Sequence, residues 1–135
     1  MAQMPRSRKI LVIEDNLINQ KVIHLMLNRL GFATDVVENG TKGLDAIQKN
    51  DYRAVFVDLG LPDINGLEVI KRIRARTDEK AHWPVIVLTA GGTQHDRNYV
   101  LSNGANIYLY KPIVYEELRE ALAPWLSEIA LAPVA

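Results

Sequence analysis

Lys9-Ile-Leu-Val-Ile-Glu-Asp15 is the stretch on which the fold turns. Its apolar run is short, mostly β-branched and without polar alternation, and it ends in two acids. Such a run reads as a strand buried on both faces, as in a parallel sheet. The form recurs at Ala54-Val-Phe-Val-Asp58 and at Val85-Ile-Val-Leu-Thr89. Ala33 to Val37 and Ile107 to Tyr110 complete a set of five expected strands, the last running into Lys111-Pro112. Between them the spacing turns helical. Ile18, Val22, Leu25, Met26 and Leu30 mark a first helix, stopped by Gly31. After the turn residues Asn39-Gly40, Leu44 to Ile47 anchor a short helix ending near Asn50. Leu67 to Arg76 is a third, with Leu67, Ile70 and Ile73 inward, and the chain breaks at Trp83-Pro84. A fourth spans about Gln94 to Ser102, closed by Asn103-Gly104. Tyr115, Leu118, Leu122, Trp125 and Ile129 lie on one face of the last, which Pro124 ends or kinks near Ala123. Strands alternating with helices predict an α/β fold, a doubly wound parallel sheet with helices on both faces.

Composition supports one globular domain. The chain has 135 residues, 48% hydrophobic and 24% charged, enough to build a core. Residues 1–8 read as a lead-in or cloning remnant, 9–126 as the domain and 127–135 as a C-terminal tail. Sixteen basic residues balance sixteen acidic ones, which argues against direct nucleic-acid binding through a broad basic surface. With no Cys, disulfides, thiolate chemistry and Cys-held metals are excluded. The apolar runs Ile10 to Ile13, Ala54 to Val57 and Pro84 to Leu88 are far too short to insert in a membrane, and the first is too short for a signal peptide. A soluble, cytoplasmic chain is expected.

In an open parallel α/β sheet the working site lies at the carboxyl ends of the strands. Those ends carry Glu14 and Asp15, Asp58, Thr89 and Lys111. Three crowded carboxylates repel one another unless a cation sits among them. Lys111 is one such cation. A divalent metal is another, and an all-oxygen donor set favours Mg²⁺ or a similar hard ion. A carboxylate cluster with a Lys and a Thr suits the receipt of a phosphoryl group, a reaction governed by positioning and charge neutralisation.

From Lys9 to Trp125 the chain resembles a response-regulator receiver domain. The resemblance rests on an ordered set: Glu14-Asp15, then Asp58 followed by Leu61-Pro62 and Gly66, then Thr89-Ala90, then Lys111-Pro112. Glu14-Asp-Asn-Leu-Ile-Asn-Gln-Lys-Val22 further resembles the receivers of hybrid sensor kinases.

The resemblance implies a flavodoxin-like strand order 2-1-3-4-5 and a phosphoacceptor module of a two-component phosphorelay. It makes Asp58 the phosphoacceptor, attacking the phosphorus of a phosphohistidine. It gives Mg²⁺ as cofactor, held by Asp15 and Asp58, by Glu14 through water, and by the backbone carbonyl of Gly60. Thr89, Ala90 and Lys111 contact the phosphoryl group, Thr89 and Tyr108 form the switch, and the bond before Pro112 is cis. The partner is a histidine kinase or a histidine-containing phosphotransfer domain, docking on Leu17, Ile18, Lys21, Pro112 and Ile113. The module phosphorylates itself from the donor rather than acting as an enzyme on other substrates, and is a monomer or weak dimer. It stands alone, belongs to a hybrid histidine kinase, or fronts a longer regulator. Gly60 and Gly91, which flank the acceptor and the Thr, imply a phosphorylated form of intermediate, unassisted lifetime.

Competing functions fit the residues less well. A phosphohydrolase of the haloacid dehalogenase type wants an Asp two residues after the nucleophile, where Gly60 stands. A flavin- or nucleotide-binding module wants a phosphate-cradling loop after the first strand, where Glu14-Asp15 places negative charge. A pseudo-receiver has no need of the full acid, Thr and Lys set. The run Lys71, Arg72, Arg74, Arg76 and Lys80 reads as a solvated helix face, and His24, His82 and His95 lack ligand spacing.

Overall fold

In the computed structural model, which describes residues 7–91 and 94–129, five strands alternate with five helices. The elements are β1 (Lys9–Ile13), α1 (Leu17–Arg29), β2 (Ala33–Val37), α2 (Gly40–Lys49), β3 (Ala54–Asp58), α3 (Gly66–Arg74), β4 (Val85–Thr89), α4 (Gln94–Ser102), β5 (Ile107–Tyr110) and α5 (Tyr115–Leu122), with a 3₁₀ turn at Glu79–His82. The first six residues of the expected lead-in, Gly92, and the tail from residue 130 lie outside the described residues.

All strand pairs are parallel, in the order β2-β1-β3-β4-β5. β1, β3 and β4 are buried along almost their whole length, as their unbroken apolar runs require. Alternate residues feed two separate cores. Ile10, Val12 and Phe56 pack with Ile23 and Leu27 of α1 and Leu118 and Leu122 of α5. Leu11, Ile13, Val55 and Val57 pack on the other face with Ile47 of α2, Val69, Ile70 and Ile73 of α3, and Val100 of α4. α2 sits close because Gly43 faces Ile13: a Cβ there would come within 2.3 Å of Ile13 Cδ1. Gly31 and Gly104 end α1 and α4 in the left-handed region, with φ of 98° and 118°.

Several expected helix faces are corrected. In α1 the buried residues are Ile23 and Leu27; Ile18 and Leu25 are 72% and 66% exposed. α2 begins at Gly40, earlier than its apolar anchor, because Asn39 caps it. In α3 the inward set is Val69, Ile70 and Ile73, and Leu67 is only half-buried. Beyond α5, where Pro124 stops the helix, Ile129 is buried as expected, but Leu126 takes the inward place expected of Trp125, which is exposed. Nor is the basic run 71–80 all solvated face. Arg74 donates to the carbonyls of Gly104, Ala81 and Trp83 and to Asn106 Oδ1, at 2.8–2.9 Å. Lys80 Nζ donates to the carbonyls of Ile47 and Asn50 where α2 ends.

The packed unit extends into the expected tail. Ile129 is buried, and Glu128 accepts a 2.8 Å hydrogen bond from Nε of Arg53, itself buried at the start of β3. Arg53 also reaches the Trp125 carbonyl. Burial pushes the Glu128 carboxyl up, but the Arg53 guanidinium outweighs it and holds the group below its usual value. Glu128→Ala should cost about 2 kcal/mol at neutral pH, since it leaves a buried guanidinium unpaired. With a folded pKa below the unfolded one, this contribution is present above the unfolded pKa and is lost as pH falls through the folded one. Urea unfolding of both proteins at neutral and acid pH checks it: the gap should narrow in acid.

Candidate phosphoacceptor site

Strand register brings the chemistry together. Ile13 pairs with Val57, so Glu14 and Asp58 leave adjacent strands side by side. Asp58 pairs with Leu88, and Thr89 with Tyr110, which places Thr89 and Lys111 at the same edge. The Lys111 backbone N–H donates to the Thr89 carbonyl at 2.7 Å, fixing where its side chain starts.

From there the half-buried Lys111 ammonium reaches two carboxylates. Its Nζ lies 3.0 Å from Asp58 Oδ2, 3.1 Å from Glu14 Oε1 and 2.9 Å from Glu14 Oε2. Glu14 is fully buried and Asp58 only 5% exposed. Glu14 Oε1 also accepts from Asn19 Nδ2 at 3.1 Å and from the Asn16 amide at 3.3 Å. Asp58 Oδ1 accepts the Gly60 N–H at 2.9 Å. Burial pushes the Glu14 carboxyl above its usual value, and Lys111 and Asn19 do not fully offset it. Burial pushes Asp58 the same way, but the Gly60 amide and the Lys111 ammonium win and hold it below the ordinary range. Lys111 is raised: its two carboxylate partners outweigh its own burial.

Asp15 is exposed at the rim. Carboxylate oxygens of Glu14, Asp15 and Asp58 lie within 4.8 Å of one another. With one ammonium against three carboxylates the cluster stays negative. Glu14 Oε2, though close to Lys111, receives no aligned hydrogen bond. An oxygen-only, net-negative cluster with an unsatisfied buried oxygen fits a hard divalent cation.

The remaining expected residues divide. Thr89 is buried, and its hydroxyl donates to the Gly91 carbonyl at 2.6 Å, within its own loop. Ala90 is exposed beside it. Tyr108 is buried in β5, edge-on to Tyr110 with ring centroids 5.3 Å apart. The Lys111–Pro112 bond is cis. A Cβ on Gly91 would meet nothing within 4 Å, and one on Gly60 only Asp58 Oδ1 at 3.7 Å, so both flanks are open. Leu17 and Ile18 are 70% and 72% exposed, Lys21 and Pro112 are exposed, and Ile113 is half-buried against the α1–α5 core. The sequence reading missed Asn19, which orients Glu14. Its signal was available: Asn16 caps α1, accepting from the Asn19 amide, so the first turn of α1 faces the site.

Such an arrangement defines a class of protein: a doubly wound module whose buried acid, Lys and metal-competent carboxylates receive a phosphoryl group. The response regulator receiver domain profile matches residues 10–123, and the chain belongs to that family. The transcriptional regulatory protein YkoG of Bacillus subtilis is 41% identical over 81% of this chain and 46% of its own length. The polar-differentiation response regulator DivK of Brucella anthropi is 30% identical over 93% of this chain and 99% of its own. The receiver domain of the sensor histidine kinase PA1611 from Pseudomonas aeruginosa, solved with magnesium in its active-site cleft, superposes with a TM-score of 0.79 at 36% identity, covering 88% of this chain and 97% of that one. The chain thus spans about half of YkoG and nearly all of DivK. Receiver domains accept phosphoryl groups from histidine kinases in two-component signalling and catalyse their own phosphorylation. Among the described residues no helix is long and apolar enough to cross a membrane.

Lys111→Met should destabilise the fold by about 2–3 kcal/mol at neutral pH, because it strands two buried carboxylates. The wild-type Asp58 pKa lies below its unfolded value, so the pairing contributes above that unfolded value and fades as pH falls through the folded one. The stranded carboxylates of the variant also take up protons in acid, so the difference between the two proteins should close there, as read by chemical denaturation at stepped pH.

Proposed function

We propose that Asp58 is the phosphoacceptor and that a phosphohistidine on a kinase or a phosphotransfer domain is the donor. The single observation that carries this reading is the Lys111 ammonium lying 3.0 Å from Asp58 and 2.9 Å from Glu14 at the sheet's carboxyl edge. An Asp58 carboxylate oxygen attacks phosphorus and the P–N bond breaks. The imidazole leaves as a neutral ring after taking up a proton, or having carried one already. Lys111 neutralises charge on the phosphoryl oxygens as it shifts toward the acceptor. Asp15 and Asp58, the Gly60 carbonyl and, through water, Glu14 would hold Mg²⁺. When bound, that ion supplies charge neutralisation and orientation of the phosphoryl oxygens. After transfer the phosphoryl group carries about −1.5 to −2 of charge at neutral pH. Thr89 and the Ala90 amide then serve its oxygens, and Tyr108 follows the space Thr89 vacates. The open positions beside Gly60 and Gly91 fit an acyl phosphate hydrolysed without side-chain help. The segment 14–22 favours a place in a sensor kinase relay. A cytoplasmic location and a monomeric or weakly dimeric state complete the reading.

Incubation with acetyl phosphate and Mg²⁺ should add the mass of one phosphoryl group to the intact protein. Asp58→Asn should abolish the gain; a gain that survives this change assigns the acceptor elsewhere.

The exposed pair Leu17 and Ile18, with Lys21, Pro112 and Ile113, gives the donor an apolar rim to dock on beside Asp58. Ile18→Asp should slow transfer from a phosphorylated donor domain by about tenfold, as expected for charging an interface anchor. Labelling by acetyl phosphate should hold at the wild-type rate. Equal loss of both reactions, measured side by side, would sink the docking assignment.

A further inference from the structure

The loop between β3 and α3 is tied to a helix that the proposed chemistry does not use. Both carboxylate oxygens of Asp63 are committed to the first residues of α2. Oδ1 accepts the Gly40 N–H at 2.8 Å; Oδ2 accepts the Thr41 N–H at 2.9 Å and the Thr41 hydroxyl at 2.6 Å. A helix leaves its first N–H groups without partners inside the helix. In α2 the local cap serves only the later ones: Asn39 Oδ1 takes the Lys42 N–H, and the Asn39 carbonyl takes that of Gly43. The first two are served from more than twenty residues away. The Thr41 hydroxyl and these amides hold the Asp63 carboxyl far below the usual carboxylate range, so it stays ionised.

Helix and loop also meet in close packing. A Cβ on Gly40 would lie 3.0 Å from Ile64 Cβ and 3.2 Å from Val69 Cγ2. At the far end of the loop a Cβ on Gly66 would lie 2.4 Å from the Asp58 carbonyl oxygen, and Gly66 N–H donates to the Leu59 carbonyl. The loop is therefore closed at its ends by Gly66 and held at its middle by Asp63. Gly60, whose N–H bonds Asp58, lies in the stretch from Leu59, where Gly66 closes the loop, to Asp63. α2 in turn lies on β1 through Gly43 against Ile13, the residue before Glu14.

We propose that Asp63 is a positioning residue, which by clamping the first turn of α2 sets the loop that presents Gly60 to Asp58 and to the metal. The inference rests on the reading of Asp58 as acceptor and of the Gly60 carbonyl as a metal ligand. It goes beyond that reading by giving α2 and Thr41 a part in shaping the site.

The alternative is a plain helix cap, which affects stability alone. Four variants separate the two: Asp63→Ala, Asp63→Asn, Thr41→Val and, as a cap on the same helix that leaves the loop untouched, Asn39→Ala. Each is measured for urea stability, for Mg²⁺ affinity by calorimetry without any phosphodonor, and for hydrogen exchange of the Gly60 amide without metal. Asp63→Ala should weaken Mg²⁺ binding by about tenfold, at the low end for loss of an outer support of a metal site. It should also speed exchange at Gly60. Asp63→Asn, which keeps an acceptor oxygen, should recover part of both, and Thr41→Val should fall between. Asn39→Ala should lose stability with Mg²⁺ affinity and Gly60 exchange unchanged. Should Asp63→Ala fail to fold, Thr41→Val carries the same comparison. Wild-type exchange at Gly60 in Asp63→Ala and Thr41→Val overturns the proposal. Absence of Mg²⁺ binding by the wild-type protein instead overturns the metal reading, and the Gly60 amide still decides whether Asp63 positions the loop.

Discussion

One ammonium holds the working edge of this protein together. Lys111 stands between two acids that have almost no contact with solvent, Glu14 and Asp58. Buried like charges this close would drive protons onto themselves or push the strand ends apart. The ammonium makes their proximity tolerable without removing it. What remains is a negative pocket with an exposed third acid, Asp15, at its mouth. A site left deliberately short of positive charge attracts a divalent cation, and with it a phosphoryl group that neither the acids nor Lys111 alone would accept.

The fold serves this arrangement by register. Parallel pairing brings the carboxyl ends of β1, β3, β4 and β5 to one edge, with Asp58 ending β3, Thr89 ending β4 and Lys111 directly following β5. Because these strands are covered on both faces, they cannot slide without exposing one of the two cores. The site's precision is therefore derived from apolar packing well away from it. The loops need separate restraint, since they lie beyond the sheet. Gly66 against the Asp58 carbonyl, and Asp63 on the first turn of α2, supply it for the loop that carries Gly60.

How much of this was legible in the sequence depends on the kind of signal. Strands were plain, because a run such as Val85-Ile-Val-Leu is short, rich in β-branched residues and bounded by Pro84 and Gly91, which favours a buried strand over a helix. The site followed from the strands: once their carboxyl ends are known, Glu14, Asp58, Thr89 and Lys111 must gather there. Helix faces were harder. α1 carries apolar residues on more than one side, and Leu25 and Ile18 compete in the pattern with Ile23 and Leu27, which the core takes. Composition does not say which stripe is buried when a helix keeps apolar residues outside. Trp125 fails for another reason: Pro124 ends the helix just before it, and Leu126 turns inward in its place, although Ile129 further on is buried as expected. Least legible were polar contacts between segments far apart in the chain. Nothing in Arg74 or Asp63 as letters distinguishes a solvated charge from one that joins a helix to a remote loop.

In the proposed switch, Thr89 is where such polar contacts would act. A hydroxyl has one proton to donate. Here it goes to the Gly91 carbonyl, so the loop after β4 is held by the same bond that a phosphoryl oxygen on Asp58 would claim. On the proposed reading, modification of Asp58 does not add a contact to a static loop; it exchanges one partner for another and releases the loop's own fastening. Tyr108 lies one strand over and is already buried, with Val87 of β4 as its register partner and Tyr110 against its ring. Thr89 and Tyr108 line a shared cavity together with Gly91, Tyr99 and Val100. On that reading the coupling resides in competition for a single hydrogen, a discrete choice and not a graded one.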